Sequence, residues 1–257
     1  MSVRHVAFAS YGNDSIALLQ WAAENNLGNV TALFSDTGWA ATLWGERIEQ
    51  AEKWVRGLGF QTARTSSMGL EQLVRAKKGW PRQGMQFCTF SLKIEPAMRW
   101  LEENDPEKDA ICMVGVRREE SQARRSFPRV TEESPNHGGR ELWAPLVSHT
   151  TADRDALLAR AGFEPLPHRS MECFPCINSN RSDLRLLAQD PARIAQIAAI
   201  EQDMGHTAKG KPRTMFRPYR HMGAIGIKEV VRWAVSDHGK FTTEDESGGC
   251  DSGYCGD

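Results

Sequence analysis

Long apolar runs are missing from this chain of 257 residues, and none approaches the roughly 20 residues needed to span a bilayer. The first residues also lack the apolar stretch and the small-residue cleavage site of a signal peptide. Internal repeats and long low-complexity segments are absent from the sequence as well. We therefore expect a cytoplasmic protein that makes no membrane contact.

Cysteines are few, and charge of either sign is not in excess. Six cysteines in 257 residues are too sparse for a disulfide scaffold. In a reducing compartment, clustered cysteines are more often metal ligands or redox groups. The formal net charge of −1 gives no global attraction to nucleic acid. The chain is long enough for one sizeable α/β core, and a small C-terminal appendage is compatible with its length.

Short apolar runs alternate with amphipathic helical patterns along the chain. The patterns predict strands at 5–9, 30–34, 60–65 and 110–116, and helices at 16–24, 42–57, 70–77, 94–103, 151–161, 184–204 and 225–236. Gly162 is expected to cap one helix, and Pro191 to begin the second half of another. The alternation predicts an α/β fold, with a twisted, mostly parallel sheet covered by helices on both faces and a helical C-terminal part.

Two polar segments follow predicted strands, at the edge of the sheet where α/β proteins bind ligands. The first, Ser10-Tyr-Gly-Asn-Asp-Ser15, places Gly12 and hydroxyl groups before a helix, whose N-terminus favours an anion. It is not a Walker A loop, because it has no Gly-Lys-Ser/Thr ending. The second is Asp36-Thr37-Gly38. Taken alone, the first segment also fits an ordinary helix start.

The cysteines fall into three groups. Cys88 and the Cys173-x-x-Cys176 pair are compatible with zinc, a redox dithiol or an iron–sulfur cluster, although no full zinc-finger spacing is present. Cys112 lies in an apolar predicted strand and is expected to be buried and unreactive. Cys250 and Cys255 lie in a Gly/Ser/Asp-rich tail, where a swinging thiol, a persulfide relay, a cluster ligand and an incidental surface pair all remain open.

Basic residues are concentrated in two segments. They are Arg117, Arg118, Arg124, Arg125 and Arg129 in the first, and Lys209, Lys211, Arg213, Arg217 and Arg220 in the second. Solvated surface charge is the simplest interpretation of either run alone.

Taken in order, these motifs resemble the PP-loop superfamily and, within it, the phosphoadenylyl-sulfate (PAPS) reductase-like family. The 10–15 loop resembles the Ser-x-Gly-x-Asp-Ser pyrophosphate loop, and the 36–38 segment resembles the Asp-Thr-Gly segment beside the adenosine. The 88–96 segment is similar to the Cys-x-x-x-x-Lys-Val/Ile-x-Pro signature, and the 115–124 segment to Gly-x-Arg-x-x-x-Ser-x-x-Arg. The resemblance implies an adenine nucleotide alpha hydrolase-like fold and divides the chain into a nucleotide-binding domain (1–182), a helical region (183–240) and a flexible tail (241–257).

The resemblance also assigns roles to individual residues. The implied nucleotide-binding residues are Ser10, Gly12, Asn13, Asp14, Ser15, Asp36, Thr37, Gly38, Gly115, Arg117 and Arg118. The implied catalytic residues are Asp14, Lys93, Arg117, Cys250 and Cys255. The resemblance implies that Lys93, Arg117 and Arg118 bind phosphate or sulfate oxygens, and bidentate contacts from the two guanidinium groups suit tetrahedral oxyanions. For Arg124, Arg125 and Arg129, a role in the site and plain surface charge both remain open. The second basic segment is the better candidate for contact with a polymeric substrate.

Cys88, Cys173 and Cys176 resemble the cysteines that hold a [4Fe–4S] cluster in adenylyl-sulfate reductases and in thiolating enzymes. Phe87 stands where the sulfate branch has a second adjacent cysteine, which favours the three-cysteine thiolating enzymes of DNA and tRNA. The implied reaction uses ATP and Mg²⁺ to adenylylate an acceptor and then inserts sulfur, with a cysteine desulfurase as sulfur donor. The alternatives are reduction of adenylyl sulfate (APS or PAPS) with thioredoxin, and a non-catalytic nucleotide- and cluster-binding subunit. We also expect a homo-oligomer.

Overall fold

The structure is a computed structural model that describes residues 3–82, 84–216 and 226–236. The chain forms two compact units. In the described ranges the first contains residues 3–69 and 89–174, and the second contains residues 70–82, 84–88, 175–216 and 226–236. The sequence-based divisions at residues 182 and 240 stay predictions, and the 241–257 tail lies outside the described residues.

The first unit is built on a sheet that has six strands within the described residues. They are β1 (His5–Phe8), β2 (Val30–Asp36), β3 (Gln61–Ser66), β4 (Ile111–Met113), β5 (Val130–Ser134) and β6 (Arg140–Trp143). Their order is β3-β2-β1-β4-β6-β5, and all neighbours pair in parallel except β5 and β6. The mostly parallel α/β sheet predicted from the sequence is confirmed.

Helices follow most of the strands. They are α1 (Asn13–Glu24), α2 (Trp44–Gly57), α3 (Leu70–Lys77), α4 (Phe87–Thr89), α5 (Glu95–Asn104), α6 (Thr151–Ala161), α7 (Arg181–Leu187), α8 (Pro191–Met204) and α9 (Ile227–Val235). A π-helical turn, Phe90–Ile94, links α4 to α5. No helix in the described ranges is long and apolar enough to cross a bilayer.

Side chains of the central strands alternate between two apolar layers. Ala32 and Phe34 join a buried cluster with α1, α2 and α6, whereas Leu33 joins a second cluster with α5. Because successive side chains of a strand point to opposite faces, these two clusters lie on opposite faces of the sheet. The prediction that helices cover both faces is therefore confirmed.

Several boundaries differ from those predicted. The helix α1 begins at Asn13 rather than residue 16, because the polar loop residues form its first turn. The strand β4 ends at Met113, before the predicted residue 116. The strands β5 and β6 were not predicted, because their sequences are largely polar. Two predictions about helix ends are confirmed. Gly162, at φ 77°, caps the C-terminus of α6, and Pro191 begins α8.

Candidate functional site

The loop between β1 and α1 is held in place by bonds to α2 and by a buried ring. Tyr11 adopts φ 60°, and its buried ring stacks on Phe34 with the centroids 5.8 Å apart. Arg47 Nε donates to the Tyr11 carbonyl at 2.7 Å, and Trp44 Nε1 donates to the Ser10 carbonyl at 3.1 Å. These bonds fix the loop carbonyls, while Gly12 precedes α1 without a side-chain cap.

Asn13 ties the start of α1 to a distant segment of the same unit. Its Nδ2 donates to the Leu166 carbonyl at 3.0 Å, and its Oδ1 accepts from the Leu166 N–H at 2.9 Å. Ser15 Oγ donates to the Gly12 carbonyl at 3.2 Å. The Asn13 amide therefore positions the loop, and its predicted contact with nucleotide stays a prediction.

An open pocket lies at the carboxyl ends of β1, β2 and β4, where the sequence predicts the ligand site. Its lining residues are Phe8, Ala9, Ser10, Asp14, Ser15, Leu33, Phe34, Ser35, Lys93, Gly115, Val116, Glu120, Arg124 and Glu172. The first turn of α1 reaches it through Asp14 and Ser15, so the helix dipole favours an anion there.

Asp14 and Arg117 form a buried ion pair at the pocket. Arg117 Nε donates to Asp14 Oδ1 at 2.5 Å, and both residues are less than 5% exposed. Gly115 makes this approach sterically feasible, because a Cβ there would lie 2.7 Å from the Asp14 carbonyl oxygen. The predicted loop and the predicted Gly-x-Arg segment therefore meet at one point.

Lys93 and Glu172 form a second buried pair that lines the pocket. Lys93 Nζ lies 2.7 Å from Glu172 Oε1, and Ser170 Oγ donates to Glu172 Oε2. The Glu172 backbone carbonyl accepts a bond of 2.6 Å from Thr37 Oγ1. Thr37 is thus connected to the site through Glu172.

Glu120 and Arg124 form the third pair. Arg124 is 4% exposed and its guanidinium contacts Glu120. For Arg124 the structure therefore favours a place in the site, whereas Arg125 and Arg129 are exposed. Arg118 is also exposed, and its guanidinium donates twice to the Phe127 carbonyl.

The Asp36-Thr37-Gly38 segment forms a tight turn after β2. Asp36 Oδ1 accepts from the Gly38 N–H at 2.8 Å, and Gly38 has φ 60°. A Cβ at Gly38 would lie 2.9 Å from the Gly69 Cα, so the close approach of these two backbone segments leaves no room for a side chain at position 38. Of the predicted nucleotide-binding residues that the structure describes, Ser10, Asp14, Ser15 and Gly115 line the pocket. Direct contact with a nucleotide stays a prediction for these four residues and for the other seven.

The predicted metal ligands are divided between the units, with Cys173 in the first and Cys88 and Cys176 in the second. All three are half-buried. In the parts of the chain that the structure describes, no group of three His, Cys, Asp or Glu side chains could hold a metal ion. Thiolates suit an iron–sulfur cluster by chemical type, and a cluster held by these three cysteines stays a prediction. Cys250 and Cys255 lie outside the described residues.

Cys112 behaves as the sequence predicts. It is 0% exposed in the core, and burial raises the pKa of its thiol to about 12. Because the thiolate is the reactive form of cysteine, Cys112 is an inert core residue.

Glu172 and Glu120 are the site residues that sequence reasoning missed. Glu172 directly precedes Cys173, and its partner Lys93 is 79 residues away along the chain. Glu120 lies within a motif where attention falls on the arginines. The signal available in the sequence was a glutamate inside a recognised motif in one case and directly beside one in the other.

Comparison with known proteins places this chain among nucleotide enzymes. Residues 4–187 match the family model described as phosphoadenosine phosphosulfate reductase domain. An uncharacterized 37.8 kDa protein in the gpa 5′ region of Escherichia phage 186 is 25% identical over 266 residues, which cover 92% of this chain and 78% of that protein.

Two solved structures are also similar. A phosphoadenylyl-sulfate (PAPS) reductase from Candida auris in a phosphate complex has a TM-score of 0.43 and 17% identity, covering 64% of this chain and 75% of that one. An NMN synthetase from Francisella tularensis has a TM-score of 0.47 and 13% identity, covering 79% and 82%.

Proposed function

The chain belongs to the phosphoadenosine phosphosulfate reductase domain family, and from that premise we propose that it is an ATP-using sulfurtransferase. In this proposal the enzyme adenylylates an acceptor and then replaces the adenylyl group with sulfur. The observation that carries it is the pocket at the N-terminus of α1, where Lys93 and Arg124 line the same space as the predicted phosphate loop.

The pocket supplies the groups that a triphosphate needs. The first turn of α1 offers N–H groups and a favourable dipole, and Lys93 and Arg124 offer charge-assisted donors. Each cation is already oriented by a buried carboxylate, so little rearrangement is needed when charge develops on the ligand. Arg117 acts behind Asp14 and holds that carboxylate at the loop.

Magnesium is part of the proposal because it neutralises and bridges nucleotide phosphates. Mg²⁺ commonly uses one or two protein carboxylates together with substrate phosphates. Asp14, which lines the pocket beside the loop, is the carboxylate we assign to it.

The first chemical step is adenylyl transfer. An acceptor oxygen attacks the α-phosphorus of ATP, a new O–P bond forms, and the bond to the β-phosphate oxygen breaks to release pyrophosphate. The acceptor's proton passes to solvent. Lys93 and Arg124 stabilise the charge on the phosphoryl oxygens, and positioning accounts for most of the acceleration in such transfers. A sulfur nucleophile then forms its bond to the activated centre as AMP leaves.

DNA or tRNA is the acceptor class that we propose, with a cysteine desulfurase as sulfur source. Exposed Lys209 and Lys211 lie in the second basic segment and are available for phosphate contacts, whereas Arg213 Nη1 donates to the Met204 and His206 carbonyls. A cytoplasmic location and a homo-oligomeric state stay predictions, as do thiol roles for Cys250 and Cys255.

The test of this function is product formation from ATP and magnesium with DNA or tRNA. AMP and pyrophosphate should appear only with the correct acceptor, and Asp14→Asn should abolish both. Failure to form AMP and pyrophosphate with either acceptor class would overturn the adenylylation step.

The [4Fe–4S] cluster is the part of the proposal that rests on the cysteines alone, and no step above passes through it. An anaerobic absorption spectrum, with iron and sulfide counts for wild type and Cys88→Ala, decides it. Iron and sulfide that fall in the variant would support the cluster, whereas a colourless, iron-free wild type would remove it.

Reduction of adenylyl sulfate or its 3′-phosphate is the second candidate, because the family match itself favours it. A tail thiolate would form an S–S bond to the sulfate sulfur as the S–O bond to the nucleotide breaks and AMP, or its 3′-phosphate, leaves. The dithiol of thioredoxin would then reduce the resulting cysteine S-sulfonate, which releases sulfite and leaves thioredoxin as its disulfide. Sulfite release that is lost in the Cys250→Ser/Cys255→Ser variant would favour this candidate. Tight nucleotide binding without any product would instead indicate a non-catalytic subunit.

A further inference from the structure

Glu172 belongs both to the pocket and to the backbone segment that carries Cys173. Building on the nucleotide binding proposed above, we propose that Glu172 is a positioning residue that couples occupancy of the pocket to the conformation of the 171–174 segment. The coupling operates through competition for Lys93, between the Glu172 carboxylate and the anionic oxygens of a bound adenine nucleotide.

The side chain of Glu172 is fixed inside the pocket. It is 4% exposed, its Oε1 lies 2.7 Å from Lys93 Nζ, and its Oε2 accepts a hydrogen bond from Ser170 Oγ. Lys93 is 5% exposed and lines the same pocket as Ser10 and Ser15. A phosphate that reaches the α1 N-terminus therefore comes close to the ammonium group that neutralises Glu172.

The backbone around Glu172 is paired with the segment that follows the Asp36–Gly38 turn. Met171 O accepts from the Ala41 N–H at 2.9 Å, and the Phe174 N–H donates to Trp39 O at 2.8 Å. Trp39 and Cys173 form a parallel bridge between these hydrogen bonds. Movement of Glu172 is therefore transmitted directly to the backbone at Cys173.

Competition for Lys93 gives the coupling its direction. A buried carboxylate that shares its ammonium partner with a polyanion is poorly neutralised, and buried charges without full compensation are costly. Glu172 should then withdraw from the phosphates and loosen the hydrogen bonds at residues 171–174. The amides of residues 13–15, which face the bound phosphates, should become more protected at the same time.

Hydrogen exchange with mass spectrometry tests the coupling, with ATP and magnesium as the ligand. Calorimetry on the same samples measures ATP binding separately. The decisive variant is Glu172→Gln, which keeps the side-chain size and removes the charge. Glu164→Gln is the matched control, because Glu164 is exposed in the same part of the chain and does not line the pocket.

In wild type, ATP should slow exchange at residues 13–15 and accelerate it about fivefold or more at residues 172–174. Glu172→Gln should keep the slowing and lose most of the acceleration, and Glu164→Gln should match wild type. Slower exchange at residues 13–15 together with faster exchange at residues 172–174 distinguishes coupling from a general change in stability, which would move both rates in the same direction. If Glu172→Gln does not fold, Ser170→Ala, which removes one anchor of the carboxylate, should change the acceleration instead.

The coupling is wrong if ATP binds but wild type shows no acceleration at residues 172–174. It is equally wrong if Glu172→Gln or, where that variant does not fold, Ser170→Ala shows the full wild-type acceleration. Absence of any heat of ATP binding to wild type would overturn the proposed function, and the coupling with it, and calorimetry identifies that case directly.

Discussion

Buried ion pairs occur at both edges of the same sheet, and their surroundings differ. At the amino-terminal ends of β4 and β6, Arg140 pairs with Asp105 and also donates to the backbone carbonyls of His137 and Leu101. At the carboxyl ends, the Lys93–Glu172 and Glu120–Arg124 pairs line an open pocket, and so does Asp14, which is paired with Arg117. At the first edge the charges are enclosed by backbone carbonyls, and at the second they line an open pocket.

The largest expected effect is the loss of the Arg140 guanidinium. Arg140→Met leaves the buried Asp105 carboxylate without its partner, which should lower the free energy of unfolding by about 3–5 kcal/mol. Urea denaturation measures this loss. Arg124→Met is the comparison and should cost less stability, because Glu120 Oε1 also accepts from the Arg117 N–H at 2.9 Å and lies 3.7 Å from Arg117 Nε. Equal losses for the two variants would erase the distinction between the edges.

The amino-terminal edge should also dominate the response to acid. Burial, with the positive charge of Arg140 nearby, lowers the pKa of His137 from 6.5 to about 4. The unfolded chain therefore binds this proton below pH 6.5, whereas the folded protein binds it only near pH 4. Stability present above pH 6.5 should fall as the pH drops toward 4, by about 3 kcal/mol in all. Urea unfolding at several pH values measures the slope, and His137→Gln should flatten it; an unchanged slope would contradict the assignment.

Ligand affinity should depend on the carboxyl edge, and two adjacent arginines test this. Arg124→Met should weaken ATP binding by about 10- to 100-fold, because a hydrogen bond to a charged group contributes about 1.5–3 kcal/mol. Arg125→Met is the control, since Arg125 is exposed and should change the affinity less than about twofold. Calorimetry measures the dissociation constant of ATP for both variants. An equal loss of ATP affinity in the two variants would exclude Arg124 from the site.

Gly115 should show the smallest of these effects, and one with a steric cause. Gly115→Ala places a Cβ 2.7 Å from the Asp14 carbonyl oxygen, and relieving this overlap should cost about 1–3 kcal/mol of stability. Gly45→Ala, at a helical position where a Cβ would meet no described atom within 4 Å, should change stability by less than about 1 kcal/mol. Thermal unfolding measures both, and matching melting temperatures would mean that the loop adapts freely.

The sequence predicted the parts of this arrangement that local chemistry encodes. A glycine-bearing turn between an apolar run and an amphipathic helix identified Ser10, Asp14 and Ser15 as pocket residues. A separate apolar run identified Cys112 as a core residue. Glu172 was not predicted, because its role depends on Lys93, which only the folded chain brings within 2.7 Å. The strands β5 and β6 were missed because their charged residues, among them Arg140, hide the alternation expected of a half-buried strand.

Tyr11 gives the 10–15 loop its shape at some energetic cost, since positive φ is unfavourable for a residue with a side chain. The ring packed on Phe34 and the bond from Arg47 compensate for that cost within the folded protein. A ligand that enters the pocket therefore meets a loop whose backbone is already ordered and loses little of its binding energy to conformational entropy. Under the proposed function, selectivity for the ligand therefore depends on the charges around the pocket rather than on folding of the loop.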